Sequence, residues 1–299
     1  EFDDVLTGDA GENNIFGRDG DDIISSGDDD DRIDGGKGAD TIDGGLGDDV
    51  VTYGDSSSAV NINLTTNIHT GGDAEGDSLT SIEEIAGSRY DDMITGDASD
   101  NRIDGNSGDD IINGEAGEDN INGNEGNDTI NGGADNDRLN GDEGDDIING
   151  GDGDDNLGGD DGTDTLNGGA GNDRFLHDIG ENDSYDGGAD IDYIMLDFFD
   201  QLGTLDLSTL NISNMEILEI NGFQDQTIEL TLADVIDMTD VNNTIRISNT
   251  NGGANDTISS NGEGWVANGT QVIDTETFNI YEIGDATMLI EQTMIQDIS

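Results

Sequence analysis

The chain repeats a phrase of nine residues, Gly-Gly-x-Gly-x-Asp-x-(Ile/Leu/Val)-x, and this period limits the folds that are open to it. Residues 35–52, GGKGADTIDGGLGDDVVT, contain two copies back to back. Each copy has an acid at position six and a large apolar residue at position eight. Fixed short periods are typical of solenoids, in which each repeat stacks on its neighbours. The repeat therefore predicts the architecture.

The phase of the repeat is kept through two blocks of the chain. In the first block of six units, the sixth position falls on Asp4, Asn13, Asp22, Asp31, Asp40 and Asp49. The second block has twelve units and one inserted residue, and its sixth positions are Asp92, Asn101, Asp110, Asp119, Asp128, Asp137, Asp146, Asp155, Asp164, Asp173, Asp183 and Asp192. The residue two positions later is always large and apolar or aromatic.

The composition of each unit predicts a coil. Positions one to six are rich in Gly, Asn and Asp, which tolerate left-handed φ and suit a turn. The last three positions suit a very short strand, with position eight pointing inward. One unit is then half a coil, and two units make a full coil of eighteen residues. Acids eighteen residues apart, such as Asp22 and Asp40, are predicted to face each other across one gap.

The charge of the chain indicates the partner of these acids. It has 72 acidic and 8 basic residues and a net charge of -64, which argues against nucleic acid or an anionic membrane as a partner. Two facing carboxylates repel unless a cation lies between them, and carboxylates with turn carbonyls supply the six to eight oxygens that calcium takes. Every sixth-position residue named above is a candidate calcium ligand, and sites that depend on Asn13 or Asn101 should be weaker. Pairing along each block gives roughly fourteen possible sites, and hence roughly ten or more ions.

The stability of such a chain should depend on the metal. There is no cysteine, so disulfides and thiolate sites are excluded. One buried aliphatic side chain per nine residues falls short of the conformational entropy lost on ordering them. We therefore predict that the array is unfolded without calcium and folds when calcium binds.

These motifs resemble the glycine-rich nonapeptide repeats of RTX (repeats-in-toxin) proteins, and the resemblance covers about half of the chain. It implies an all-β fold: a right-handed parallel β-roll (β-solenoid) with calcium in its turns, followed by a β-rich C-terminal cap. It also implies a bacterial protein that is secreted unfolded by type I secretion machinery, folds outside, and is extracellular or bound to the cell surface. No run is long enough to predict insertion into a membrane.

Four regions are expected: the first block over residues 1–52, an insertion over 53–86, the second block over 87–195 and the cap over 196–299. In the insertion, AVNINL is predicted as a strand, and Asp77 is either a further ligand or part of a longer coil without metal. In the cap, NTIRISN and TFNIYEIGDATMLIE are predicted as strands, the latter with a turn at Gly284-Asp285, and residues 231–240 as a short helix. An uncleaved export signal is implied in the final residues.

Signs of catalysis are weak. The only histidines, His69 and His177, are expected on the surface or in loops, and Trp265 in the core of the cap. The sequence thus predicts a non-enzymatic calcium-binding RTX domain from the C-terminal part of a bacterial surface adhesin, and the first residue, Glu1, suggests a fragment of a larger protein. The alternatives are an accessory module of a larger secreted enzyme (polysaccharide epimerase, lipase or protease) and an ice- or carbohydrate-binding face. The last would use the ninth-position residues Asn113, Asn122, Asn131, Asn140 and Asn149.

Overall fold

The fold is that of a computed structural model of the chain, which divides into two compact units, Glu1–Asp152 and Gly153–Ser299. The residues described are 2–178, 182–197, 204–206, 210–221, 227–229, 239, 244–249, 257–259, 265–273, 276–283, 286–291 and 294–297. Among them, every regular element is a β-strand except one short 3-10 helix, Gly72–Ala74. No helix in this part of the chain is long and apolar enough to cross a membrane. The all-β prediction is confirmed.

The first unit contains sixteen described strands. They are β1 (Val5–Thr7), β2 (Asn14–Asp19), β3 (Ile23–Asp28), β4 (Arg32–Lys37), β5 (Thr41–Leu46), β6 (Val50–Thr52), β7 (Asn61–Asn63), β8 (Ser78–Thr80), β9 (Glu84–Ala86), β10 (Met93–Thr95), β11 (Arg102–Ser107), β12 (Ile111–Ala116), β13 (Asn120–Glu125), β14 (Thr129–Ala134), β15 (Arg138–Glu143) and β16 (Ile147–Asp152).

Within the two nonapeptide blocks of the first unit, each strand pairs in parallel with the second strand along the chain, as expected for a coil of two nonapeptides; across the insertion, β5, β6 and β7 pair with the third strand along. Within this unit the sheet orders are β1-β3-β5-β8, β2-β4-β6-β9-β11-β13-β15 and β7-β10-β12-β14-β16. Position-eight residues lie in register eighteen residues apart: Ile94 pairs with Ile112, and Ile112 with Ile130. All three are fully buried. The predicted parallel β-solenoid is confirmed, with a core that is one aliphatic side chain per half coil.

The strands are longer than the three residues predicted. Strand β12 continues past Gly114, the position-one residue, and resumes pairing as Glu115 with Gly133 and Ala116 with Ala134. Pairing can resume because Glu115 adopts a φ of 83°, which redirects the backbone without ending the ladder. Only positions four to six are left for the turn.

Residues 53–86 add irregular coils rather than a separate fold. The predicted AVNINL strand is present as β7, and its Ile62 pairs with Ile94. Leu79 pairs with Ile42 at the end of the sheet that contains β1. Strand β9 joins β6 to β11, so one sheet runs through the insertion.

The second unit contains fifteen described strands. They are β17 (Asn156–Asp161), β18 (Thr165–Ala170), β19 (Arg174–Asp178), β20 (Ser184–Ala189), β21 (Tyr193–Asp197), β22 (Thr204–Asp206), β23 (Asn211–Ser213), β24 (Ile217–Asn221), β25 (Thr227–Glu229), β26 (Thr244–Asn249), β27 (Thr257–Ser259), β28 (Val266–Ile273), β29 (Glu276–Ile283), β30 (Ala286–Glu291) and β31 (Ile295–Asp297).

Parallel stacking continues in this unit after the nonapeptides end, with coils of greater length. Ile194 pairs with Leu218, Leu218 with Ile247, and Ile247 with Ile290. Strands β18, β20 and β23 form a second parallel sheet, and β22, β25, β27 and β31 a third. Two antiparallel strands, β29 and β28, follow β30 at the end of the sheet that contains β21, β24 and β26.

The described C-terminal strands agree with the predicted β-rich cap. NTIRISN contains β26, and TFNIYEIGDATMLIE contains β30 and all of its antiparallel partner β29 except Glu276. Trp265 is buried, as predicted. The predicted turn at Gly284-Asp285 lies outside the described residues, as does the predicted helix over residues 231–240 except for Thr239. The four predicted region boundaries stay predictions.

Candidate calcium-binding turns

The sixth-position acids form ladders of hydrogen bonds between neighbouring coils. The backbone N–H of Asp22 donates to Oδ1 of Asp40 at 2.8 Å, and that of Asp110 donates to Oδ1 of Asp128 at 2.7 Å. The predicted partners joined in this way are Asp4 with Asp22, Asn13 with Asp31, Asp22 with Asp40, Asp31 with Asp49, Asp92 with Asp110, Asn101 with Asp119, Asp110 with Asp128, Asp119 with Asp137, Asp128 with Asp146, Asp155 with Asp173, Asp164 with Asp183, and Asp173 with Asp192.

The contact differs from the prediction in one respect. The structure joins the carboxylate of one coil to a backbone N–H of the preceding coil, whereas the sequence predicted carboxylate facing carboxylate. Each acid therefore satisfies a buried donor of its neighbour through one oxygen. Its other oxygen remains for a different partner.

That second oxygen is buried without a protein hydrogen bond at many described turns. It is Oδ2 of Asp22, Asp31, Asp40, Asp49, Asp110, Asp119, Asp128, Asp173 and Asp192. These carboxylates are at most 2% exposed. A desolvated, unpaired carboxylate oxygen is costly, and native structures rarely leave one without a partner. The same carboxylate oxygen is thus left without a protein partner in turn after turn.

The position-one glycine keeps space open beside this oxygen. A Cβ built on Gly123 would lie 2.9 Å from the carbonyl oxygen of Gly141 and would collide with Oδ2 of Asp128. A Cβ on Gly105 would collide with Oδ2 of Asp110 and lie 2.7 Å from the carbonyl oxygen of Gly123. A carboxylate oxygen and a carbonyl oxygen of the next coil thus converge on a point that no side chain fills.

This donor set fits calcium, which is a hard cation bound by carboxylate and carbonyl oxygens. Within the described residues, no three His, Cys, Asp or Glu side chains come together as a metal-binding group. Besides Oδ2 of the acid, the donor that the geometry places in these turns is the carbonyl oxygen of the next coil, such as that of Gly141 beside Asp128.

A comparison with protein families agrees with this geometry. The family described as RTX calcium-binding nonapeptide repeat (4 copies) matches residues 1–33, 25–56, 86–121, 113–148, 122–157 and 141–175. The chain carries RTX repeats. Such repeats bind calcium, and the matches cover both nonapeptide blocks up to residue 175. A search of curated proteins finds no match to the chain.

Left-handed backbone at position two shapes the RTX turns. Asn106, Glu115 and Asn124 have φ of 78°, 83° and 76°, and a glycine occupies this position in many other units. Asn tolerates this region, and glycine enters it without strain. In these units, no bond from the position-two N–H reaches Oδ2 of the acid.

Three RTX units have a different turn. Their position-two residues, Asp9, Ser88 and Asp97, do not have positive φ. Their N–H groups donate within the unit to Oδ1 of Asn13 at 2.7 Å, Oδ2 of Asp92 at 2.5 Å and Oδ1 of Asn101 at 2.8 Å. The second oxygen of Asp92 is therefore already bonded, unlike that of Asp110.

Burial changes the acidity of the RTX carboxylates. It raises the pKa of Asp110 to about 8, although the N–H of Asp92 opposes this. Burial likewise raises the pKa of Asp173 and of Asp192 to about 7. The ionised form is disfavoured because burial removes it from water and the single backbone N–H donor offsets this only in part. A bound dication would supply that compensation and displace the proton.

Both histidines are buried. His69 lies in a loop, as predicted, whereas His177 lies in strand β19, so the prediction of a surface or loop position is wrong for His177. His177 lies fully buried with Nδ1 2.7 Å from Oη of Tyr185. His69 is 2% exposed, and its Nδ1 accepts the N–H of Asn63 at 3.2 Å. The one sequence signal was that His177 occupies position one of its unit, where most units have glycine.

The remaining predicted residues differ in their surroundings. Asp4 is exposed, and no described coil precedes it to bond its carboxylate. Asp137, Asp146, Asp155 and Asp164 are as buried as Asp128. Asp77 takes a sixth-position place, because its Oδ1 accepts the N–H of Asp40 at 2.8 Å. Glu83 takes the next such place, and its Oε2 accepts the N–H of Asp49 at 3.1 Å.

Proposed function

We propose that the sixth-position acids of this RTX array are its calcium ligands and that calcium binding folds it. The observation that carries the proposal is the series of buried carboxylate oxygens without a protein partner, which lie beside a carbonyl oxygen of the next coil at Asp22, Asp49, Asp110, Asp119, Asp128 and Asp192. The acids proposed for this role belong to the open turns: Asp22, Asp31, Asp40, Asp49, Asp110, Asp119, Asp128, Asp173 and Asp192.

Coupling of folding to calcium follows from the charge of these turns. An ion between coils offsets the repulsion of the acids and adds ligand bonds that the unfolded chain lacks. Extracellular calcium modules typically bind with dissociation constants of about 10⁻⁴–10⁻³ M. At such affinities the chain is unfolded at cytosolic calcium concentrations and folds outside the cell.

This behaviour suits a protein exported unfolded. We propose that the chain leaves a bacterium through type I secretion machinery and acts as a non-enzymatic domain of a surface adhesin. The long C-terminal coils and strands would close the solenoid and protect its last edge from pairing with another chain. An accessory module of a larger secreted enzyme is the alternative, and a catalytic domain encoded before Glu1 would favour it.

The outward asparagines form a ladder that argues against an ice-binding face. Nδ2 of Asn131 donates to Oδ1 of Asn113 at 2.9 Å, and Nδ2 of Asn149 donates to Oδ1 of Asn131 at 3.0 Å. Their amides bond to one another, which leaves fewer groups to order water. The neighbouring seventh positions mix Ile111, Thr129 and Ile147. A thermal-hysteresis assay of the calcium-loaded protein tests this directly.

Circular dichroism during a calcium titration tests the proposed folding. We expect a disordered spectrum in a strong chelator and a cooperative gain of β signal as calcium is added. Magnesium is the matched control, because it requires near-octahedral coordination and is bound poorly by irregular sets of oxygen ligands. A β spectrum that persists at neutral pH in the chelator would rule out calcium-driven folding.

A further inference from the structure

Position one of the repeat is glycine in most units, and two of the exceptions carry large rings. Tyr53 follows the ninth position Thr52, and His177 follows the ninth position Leu176. Both rings therefore stand where Gly123 and its equivalents leave space beside the acid. Tyr53 is 3% exposed and His177 is fully buried.

The Tyr53 hydroxyl bonds Asp77, the last acid of the ladder that runs through Asp4, Asp22 and Asp40. It donates to Oδ2 of Asp77 at 2.9 Å. Oδ1 of Asp77 accepts the N–H of Asp40 at 2.8 Å. Both oxygens of this buried carboxylate thus have protein donors, whereas Oδ2 of Asp40, one coil earlier, has none.

The same arrangement occurs independently at the end of the second block. Tyr185 donates to Oδ2 of Asp183 at 2.8 Å, and Oδ1 of Asp183 accepts the N–H of Asp164 at 2.9 Å. His177 packs edge-on against Tyr185 with ring centroids 5.6 Å apart, and its Nδ1 lies 2.7 Å from the tyrosine hydroxyl. Its Nδ1 also lies 3.5 Å from Oδ2 of Asp183.

We propose that the turns at Asp77 and Asp183 bind no calcium and that a tyrosine hydroxyl takes the place of the ion. The inference rests on the proposed calcium ligation of the open turns. In both closed turns a ring fills the position-one space, and a hydroxyl bonds the oxygen that is unpaired elsewhere. An ion with six to eight oxygen ligands does not fit beside that ring. The predicted role of Asp183 as a ligand is revised accordingly, and for Asp77 the metal-free alternative is chosen.

The turns at Asp77 and Asp183 both lie at the end of a nonapeptide stack. Asp77 precedes β8, the last strand of the sheet that begins with β1. Asp183 precedes β20, which pairs with β23, a strand from outside the nonapeptide array. Both turns therefore lie where the nonapeptide stack on their edge gives way to coils of a different length. There the tyrosine hydroxyl supplies the donor that the buried carboxylate needs without an ion.

Anomalous scattering from crystals of the calcium-loaded full chain tests the proposal. We expect calcium peaks beside Oδ2 of Asp40 and Asp173 and no peak within ligand distance, about 2.3–2.6 Å, of Asp77 or Asp183. A peak at that distance from Asp77 or Asp183 overturns the inference. Absence of peaks at every turn would instead overturn the proposed function, so the two failures can be told apart.

Replacement of the hydroxyl gives a second test in solution. In saturating calcium, Tyr53→Phe should lower Tm by about 4 °C or more, because a buried carboxylate loses its donor. The bound calcium per chain, measured by equilibrium dialysis, should not fall. Tyr90→Phe is the matched control, since Tyr90 is 46% exposed, and it should change neither value. An unchanged Tm or the loss of an ion in Tyr53→Phe would refute the assignment.

Discussion

Asp128→Ala should weaken calcium-driven folding more than any substitution at the end of the array. Asp128 is 1% exposed and lies within the first unit. Its Oδ1 accepts the N–H of Asp110 at 2.7 Å, and its Oδ2 faces the space kept open by Gly123. Its own N–H donates to Oδ1 of Asp146. Alanine keeps that N–H but removes both carboxylate oxygens.

The expected magnitude follows from these contacts. A buried N–H left without its charged acceptor costs about 1–3 kcal/mol, and loss of a calcium ligand adds to this. We take about 3 kcal/mol in total. If the roughly seven ions proposed for the first unit bind cooperatively with folding, this loss raises the calcium midpoint about twofold, since each tenfold change in concentration is worth about 1.4 kcal/mol per ion.

The assay is far-ultraviolet circular dichroism during a calcium titration of the full chain. Asp4→Ala is the matched control, because Asp4 is exposed and its bond to Asp22 uses a backbone N–H that alanine retains. We expect its midpoint to shift by less than about 1.5-fold. Equal midpoints for the two variants would show that neighbouring coils do not share ligands.

Three further outcomes can be measured by the same circular-dichroism assay. In calcium-free, resin-treated buffer the β signal should be strongest near pH 4 and fall as pH rises through about 6 to 8. The reason is that burial raises the pKa values of Asp128 (about 6), Asp173 (about 7) and Asp110 (about 8), so these groups favour the folded state only while they are protonated. A β signal independent of pH would contradict this. Gly123→Ala should raise the calcium midpoint severalfold because its Cβ collides with Oδ2 of Asp128, whereas Gly11→Ala, with its nearest contact at 3.6 Å, should not; similar midpoints would argue against the proposed ion position. Asn101→Asp should lower the calcium midpoint, because it places an ionised oxygen where the buried Nδ2 of Asn101 has no partner. Asn101→Ala, the control, should not lower it. A higher calcium midpoint in Asn101→Asp would mean that this turn takes no ion.

The coil could be predicted from the sequence because one apolar residue recurs at a fixed position. Ile94, Ile112 and Ile130 stack as the period requires, and only two parallel half coils place them in register. The candidate ligands follow from the same phase. The phase does not predict that Oδ1 accepts a hydrogen bond while Oδ2 stays unpaired, because that difference depends on the backbone N–H of a residue eighteen positions away.

Departures from the repeat were harder to interpret. Tyr53 and His177 occupy glycine positions, a signal that was visible in the sequence, but their partners Asp77 and Asp183 lie beyond an insertion or a shifted frame. Periodicity cannot specify contacts across such interruptions. The turns at Asp92 and Asn101 depend on φ at Ser88 and Asp97, for which composition gives only a weak preference.

Contacts between neighbouring coils also determine how far the effect of a substitution on stability extends along the solenoid. Asp128 bonds only to the coil of Asp110 and, through its N–H, to that of Asp146. Stability in such an array is approximately a sum of nearest-neighbour terms. Alanine at residue 128 keeps the N–H bond to Asp146 but removes the bond to the N–H of Asp110 and the proposed ion ligand. It therefore breaks the interface with the coil of Asp110 and divides a cooperative stack into shorter ones, each with fewer ions to share the entropy of ordering. Loss of a terminal acid removes a single rung and leaves the stack intact, which is why the position of a substitution along the solenoid should matter more than the identity of the acid removed.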